Sequence, residues 1–280
     1  MALYENPEIP EGINVTQQHP LKEFFILLGA SLAIIFVVVL TLSSLAGYLV
    51  RYVPFAQEKA LLNGLNVSWL QPQASDAALQ KQQYLQTLAD QLAVKMALPG
   101  DMTITVHYSA DKTVNAMATL GGNIVVFQGM IDALPNENAL AMVIAHEIAH
   151  IQHRHPIVAL GRGFTVLLAL SAMTGVGDGV MQQWVGNMGM LTLLSFSREQ
   201  EADADSDALQ ALLRQYGHVD GASAFFEYAA AQPRLELSAL FNTHPGIEER
   251  ILRIHQFERG QATAKKHVLQ PLPVYLKISP

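Results

Sequence analysis

Cysteine is absent from the 280 residues. Disulfides, thiolate zinc clusters, iron–sulfur centres and a thiol nucleophile are therefore excluded, and any bound metal must be held by His, Asp or Glu. The absence leaves the compartment open, because a chain without thiols tolerates any redox state. Charge is scarce too: 15% of residues are charged, 17 basic against 24 acidic, for a net charge of −7. No clustered basic face stands out, so nucleic acid is not an expected partner. Half of the composition is apolar, too much for a disordered chain and enough for a sizeable domain with apolar material to spare.

Part of that surplus is one run. Phe24–Val50 holds 27 residues without a charge. As a helix it is about 40 Å long, enough to cross a hydrocarbon core of about 30 Å with tilt. Lys22 and Arg51 bracket it, and Tyr48 and Tyr52 sit at headgroup level at one end. A cleaved signal peptide is the competing reading, with Ser44-Leu45-Ala46 as a cleavage site. Glu5, Glu8, Glu11 and Glu23 against Lys22 argue against a basic leader start. The expectation is a retained single-pass anchor in an inner or cell membrane. Basic residues are balanced across it, so the positive-inside rule decides little; a short tail and one uncleaved anchor lean towards a periplasmic domain.

The remaining chain divides into a linker at 51–74, a main domain at 75–258 and a tail at 259–280, after an N-terminal tail at 1–23. Leu79, Leu85, Leu88, Leu92 and Met96 have helical spacing, ended by Pro99-Gly100. Alternation predicts strands over Thr103–Tyr108, Val114–Thr119 and Ile124–Phe127, separated by turns at Asp111-Lys112 and Gly121-Gly122-Asn123. From Glu137 to about Glu258 the pattern is mainly helical. The fold class expected is α+β, mostly helical, with a small sheet. The tail from His267 reads as an extended segment lying on the domain.

The chemistry sits on one predicted helix, Glu137–His155, opened by Pro135-Asn136 and closed by Pro156. Leu140, Val143, Ile144, Ile148 and Ile151 give it an apolar stripe, and within it lies His146-Glu147-Ile148-Ala149-His150. Residues i and i+4 share a helix face, so both imidazoles can aim at one zinc ion about 2.0–2.1 Å away. Glu147, rotated by about 100°, reaches a metal-activated water without ligating the ion. His153 and His155 are expected at the surface near the helix end, where they suit the dipole.

A third, anionic ligand is needed. The long metzincin motif would require Gly at 153 and His at 156; the residues are His153 and Pro156, which excludes it. Ser197-Arg-Glu-Gln-Glu-Ala-Asp-Ala-Asp205 opens another helix, with a Ser197/Gln200 capping box and Gly217 as its stop. Glu201, Asp205, Ala208 and Leu212 fall on one line with Leu209 beside it, whereas Glu199 aligns with Asp203, Ser206 and Gln210 on a polar line. Phase therefore selects Glu201 as the ligand and places Asp205 where it can orient a ligand imidazole.

These paired motifs resemble the HtpX/CaaX-prenyl-protease family of gluzincin metallopeptidases, with H-E-x-x-H followed by S-R-x-x-E-x-x-A-D. The segment Val114-Asn-Ala-Met-Ala-Thr-Leu-Gly-Gly is similar to that family's N-A-x-A-x-x-G-G stretch, and Thr243-His244-Pro245 with Glu249-Arg250 to its late T-H-P…E-R stretch. The resemblance covers about residues 75–255. It implies a gluzincin-type domain, endopeptidase activity on polypeptides, one zinc ion and frequent membrane association. By position, His146, His150 and Glu201 would be ligands and Glu147 the base. Asn115, Ala116, Met117 and Ala118 would form the edge along which substrate lies, a structural hairpin being the alternative. His244 would donate to the oxyanion, plug the site as a fourth metal contact, or simply begin a helix.

Phe164–Phe196 is a second apolar stretch, broken by Gly175, Gly177 and Gly179 around Asp178. It reads as a helical hairpin over the active-site helix, or as one partly embedded in the membrane, with Met181, Met188 and Met190 as adaptable packing. Two other functions compete with a zinc endopeptidase in membrane-associated quality control. One is a chaperone-like binding module with little proteolysis, which the intact Glu147 disfavours. The other is zinc-dependent hydrolysis of a non-peptide substrate. A prenylated substrate is not expected, since a single clear span builds no lipid chamber.

Overall fold

The computed structural model describes residues 20–63, 75–174, 195–232, 244–261 and 267–277. It divides into two units, residues 1–42 and 43–280. The first unit is the greater part of helix α1 (Pro20–Leu49), whose apolar side chains, Phe25, Leu27, Ile34 and Phe36 among them, are exposed. The second unit carries everything else: α2 (Phe55–Asn63), α3 (Asp76–Met96), β1 (Thr105–Ser109), β2 (Ala116–Thr119), β3 (Asn123–Phe127), α4 (Gln128–Ala133), α5 (Glu137–Gln152), α6 (His155–Thr174), α7 (Arg198–Tyr216), α8 (Ala224–Ala231), α9 (Ile247–Gly260) and α10 (Val274–Lys277). The architecture is α+β and mostly helical.

The sheet has the order β1-β3-β2, with β1 parallel and β2 antiparallel to β3. β2 is thus an edge strand. The tight return from β2 to β3 needs Gly122 (φ 81°), where a Cβ would stand 2.0 Å from the Thr103 carbonyl oxygen. The strands run 105–109, 116–119 and 123–127, one or two residues away from the bounds read from alternation.

α5 is the spine. Asn136 caps it by accepting the Ala139 N–H, and every side chain from Asn138 to Ile151 is buried. A helix buried all round belongs in a core; Leu140, Ile144 and Ile148, each at 0% exposure, stabilise it by about 1.5–3 kcal/mol apiece. α7 and α3 pack along α5, and β2 lies across it. The Ser197/Gln200 capping box and the left-handed Gly217 stop are both present on α7.

Three boundaries differ from the sequence reading. The 51–74 stretch is not merely a linker: α2 lies there, with Phe55, Glu58 and Leu62 buried. Pro156 does not end α5. The helix stops at Gln152, Arg154 turns the chain in the left-handed region (φ 62°), and Pro156 occupies the first turn of α6, where its missing N–H costs nothing. The second apolar helix therefore begins at His155 and not near Phe164. The glycines at 175, 177 and 179, Asp178, Met181, Met188 and Met190 lie outside the described residues. The tail crosses the start of α5: Gln270 accepts the Glu137 N–H at 2.8 Å and donates its own N–H to Asn138 Oδ1 at 2.9 Å.

Candidate metal centre

α5 presents His146 and His150 one turn apart, with their Nε2 atoms 2.9 Å from each other. α7 brings Glu201 opposite them: Oε2 is 3.4 Å from His146 Nε2 and Oε1 is 3.4 Å from His150 Nε2. Tetrahedral ligands at about 2.0–2.1 Å from zinc sit roughly 3.3 Å apart, so these separations fit one small cation. His244, just before α9, joins them with Nδ1 3.1 Å from Glu201 Oε1. All four ligand-bearing groups are buried and lie within 4.8 Å of one another. Glu199, by contrast, faces solvent.

The charges around this point explain how a carboxylate survives there. Burial opposes ionisation of Glu201, but the adjoining His244 and Arg250 charges and the two imidazoles outweigh it and hold the carboxyl far below the usual range. Burial likewise acts against Asp205, and Arg250 and His146 again keep it ionised. Asp205 Oδ1 lies 3.0 Å from His146 Nδ1. An Nδ1–H donated there turns the Nε2 lone pair towards the Glu201 side. Burial pushes His150 well down, towards the neutral imidazole that a metal needs.

Glu147 points to β2. Its Oε2 accepts the Ala118 N–H at 2.6 Å, and its Oε1 is 3.7 Å from His244 Nε2. Burial raises its carboxyl above the ordinary value, with His244 and His146 opposing. A cavity of about 20 Å³ adjoins Glu147 and His244, walled by Ala116, Met130, Val143 and Phe226; that is room for roughly one water. Asn115 and Met117 share the edge strand region with Ala116 and Ala118, and all four are buried.

Three residues in or beside the site escaped the sequence reading. Arg250, on α9, is 2% exposed; it donates from Nη1 to Glu201 (2.5 Å) and from Nη2 and Nε to Asp205 (2.6 and 2.8 Å), with Phe226 4.4 Å from its guanidinium. Phe196 stacks on His150 at 3.9 Å and 18°. His155, expected at the surface, is instead 6% exposed beneath His150, because the turn at Arg154 folds α6 back; His153 is exposed and pairs with Asp207 at 2.7 Å. The E-R pair of the late motif was the available pointer to Arg250.

A helix-borne H-E-x-x-H face, completed by a carboxylate from a second helix and backed by a small sheet, defines a metallopeptidase scaffold of the gluzincin kind. The sequence pattern of peptidase family M48 matches residues 79–258, well over half of the chain. The chain belongs to peptidase family M48. Among curated proteins it is similar to the mitochondrial metalloendopeptidase OMA1 of Schizosaccharomyces pombe, 30% identical over 56% of this chain and 47% of that one. It is also similar to two Escherichia coli proteins. The metalloprotease LoiP is 36% identical over 51% of this chain and 58% of its own length. The beta-barrel assembly-enhancing protease is 30% identical over 49% and 31%. The chain thus spans between about a third and three fifths of these relatives' lengths.

Proposed function

We propose that the protein is a zinc-dependent endopeptidase anchored by α1, cleaving polypeptides that lie along β2. The convergence of His146, His150 and Glu201 beside a buried Glu147 carries this reading. Without sulfur ligands, two imidazoles and a carboxylate form a donor set that suits zinc. Zinc bound by those three residues would supply Lewis acidity for attack by water on a peptide carbonyl.

The chain's own residues do the rest. Glu147 takes the proton of the attacking water at Oε1 and returns it to the leaving amine, while the Ala118 N–H keeps Oε2 engaged. His244, with Nδ1 on Glu201 and Nε2 towards Glu147, is placed to donate to the developing oxyanion. In an antiparallel pair alternate residues face away from the partner strand. Since the outward Ala118 N–H is taken by Glu147, an incoming substrate strand pairs with the backbone groups of Ala116 and with Ala118 C=O. Asn115 and Met117 flank that contact.

α1 is long and apolar enough to span a bilayer, and its most apolar window has no buried residue. We place the catalytic domain on the periplasmic side of an inner or cell membrane, which a C-terminal reporter fusion tests.

The decisive variant is Glu147→Gln in the full chain. It should keep stoichiometric zinc and its fold while losing cleavage of an unfolded protein by about 100-fold or more. Undiminished cleavage would remove Glu147 as the base. Binding of unfolded protein with no cleavage even in the wild type would favour the chaperone-like alternative.

A further inference from the structure

We propose that His155 is the positioning residue for His150, acting as a neutral hydrogen-bond acceptor where the other ligand imidazole has a carboxylate. The inference rests on the zinc reading above. The two imidazoles on α5 are held differently. His146 has Asp205 on its Nδ1; among the described residues His150 has no carboxylate there, and its Nδ1 lies 2.8 Å from Nδ1 of His155. A ligand imidazole that binds through Nε2 carries its proton on Nδ1 and needs an acceptor for it. His155 Nδ1 supplies one, which fixes the His155 proton on its own Nε2.

The fold builds this contact deliberately. His155 is the first residue of α6, and it reaches His150 only because Arg154 adopts the left-handed conformation (φ 62°), which a non-glycine residue takes at a cost of about 1 kcal/mol. Arg154 is held in that turn by Glu58 of α2 at 2.7 Å and by the Val53 carbonyl at 2.8 Å. Phe196 covers the ring face of His150 at 3.9 Å. His150 is therefore fixed along its edge by His155 and across its plane by Phe196, with Nε2 left for the cation. A neutral partner donates less electron density to the ligand than a carboxylate, so one anionic outer partner, Asp205, serves the pair.

The test compares His155→Leu with His155→Asn, whose Oδ1 takes the place of Nδ1. Zinc affinity of the full chain is measured by chelator competition, and the thermal midpoint of the zinc-free forms is recorded alongside. His155→Leu should weaken zinc binding by roughly 10–100-fold, and Asn should restore most of it. Equal affinity of the Leu variant and the wild type overturns the proposal, as does an Asn variant no better than Leu. A second measurement needs no variant to fold: in ¹⁵N-histidine spectra of the zinc-loaded wild type, His155 should be protonated at Nε2 and His150 at Nδ1. The reverse tautomer of His155 overturns it. A wild type that binds no zinc defeats the metallopeptidase reading instead, so the two failures are distinct.

Discussion

Arg250 bears a full charge at 2% exposure, and its two carboxylate partners show why the fold tolerates it. Removing one member of a buried charged cluster costs about 3–5 kcal/mol, because the others are left uncompensated. Arg250→Met should therefore destabilise the zinc-free protein by about that amount, read from denaturant unfolding. Arg250→Lys keeps the charge but not the planar fork and should fall between. A Met variant as stable as the wild type would mean that Glu201 and Asp205 need no counter-charge. Glu201→Ala should remove most bound zinc and Glu199→Ala little, as metal analysis of the folded proteins would show. That Glu201 is buried among the histidines while Glu199 faces solvent was legible from helix phase alone, since a period of 3.6 residues separates their faces by about 160°. The late E-R pair pointed to Arg250 itself, but its pairing with Glu201 and Asp205 was not legible, because it is set by how α9 docks on α7, which no local pattern encodes.

The turn between α5 and α6 shows a different limit at the scale of elements. Proline after a helical run ordinarily reads as a stop, but here Pro156 begins the next helix. The signal that distinguishes the two is a left-handed arginine, a conformation sequence does not advertise. Tertiary contacts hold it, chiefly Glu58, which also accepts the Gly121 N–H at 2.8 Å. Arg154→Gly would relieve about 1 kcal/mol of backbone strain but strand Glu58, for a net loss of about 2–4 kcal/mol. The double variant with Glu58→Gln should lose less than the sum of the two singles in a thermodynamic cycle; additive losses would deny the pairing.

The tail makes a second such element, and its hold depends on pH. His267 and His218 stack at 4.3 Å and 2°, and Asp220 Oδ2 is 3.1 Å from His267 Nδ1. Burial and the neighbouring His267 lower His218 below its ordinary value. For Asp220 burial works upward, but the backbone and ring N–H of His267 prevail and hold it below its own. A group with a depressed folded value binds fewer protons in the docked state, so docking is strongest above the undocked value. The hold is thus full above about pH 6.5 and weakens as the pH falls through the His218 range, with Asp220 extending the loss below about pH 3.9. Measured against the intrinsic exchange rate at each pH, amides across residues 267–277 should be less protected at pH 5.5 than at pH 7.5, and His218→Asn should flatten that difference. Greater protection at the lower pH would reverse the sign and exclude this pH-dependent hold.

At the scale of the whole molecule, two helices among the described residues are long and apolar enough to cross a membrane, and their burial separates them. None of the most apolar window of α1 is buried, whereas 28% of His155–Ala172 is. The near end of α6 belongs to the core through Ile157 and Val158, leaving Phe164, Val166, Leu168 and Leu170 exposed further along. Four such residues contribute about 0.3–0.6 kcal/mol each on an insertion scale, some 2 kcal/mol together. That supports weak, reversible adsorption to lipid, not a second span. The full chain should therefore resist alkaline carbonate extraction, while a chain beginning at Ser43 should be extracted and bind liposomes only weakly. Carbonate resistance of the shorter chain would show that α6 itself crosses the bilayer, and the metal centre at its near end would then sit at the membrane surface.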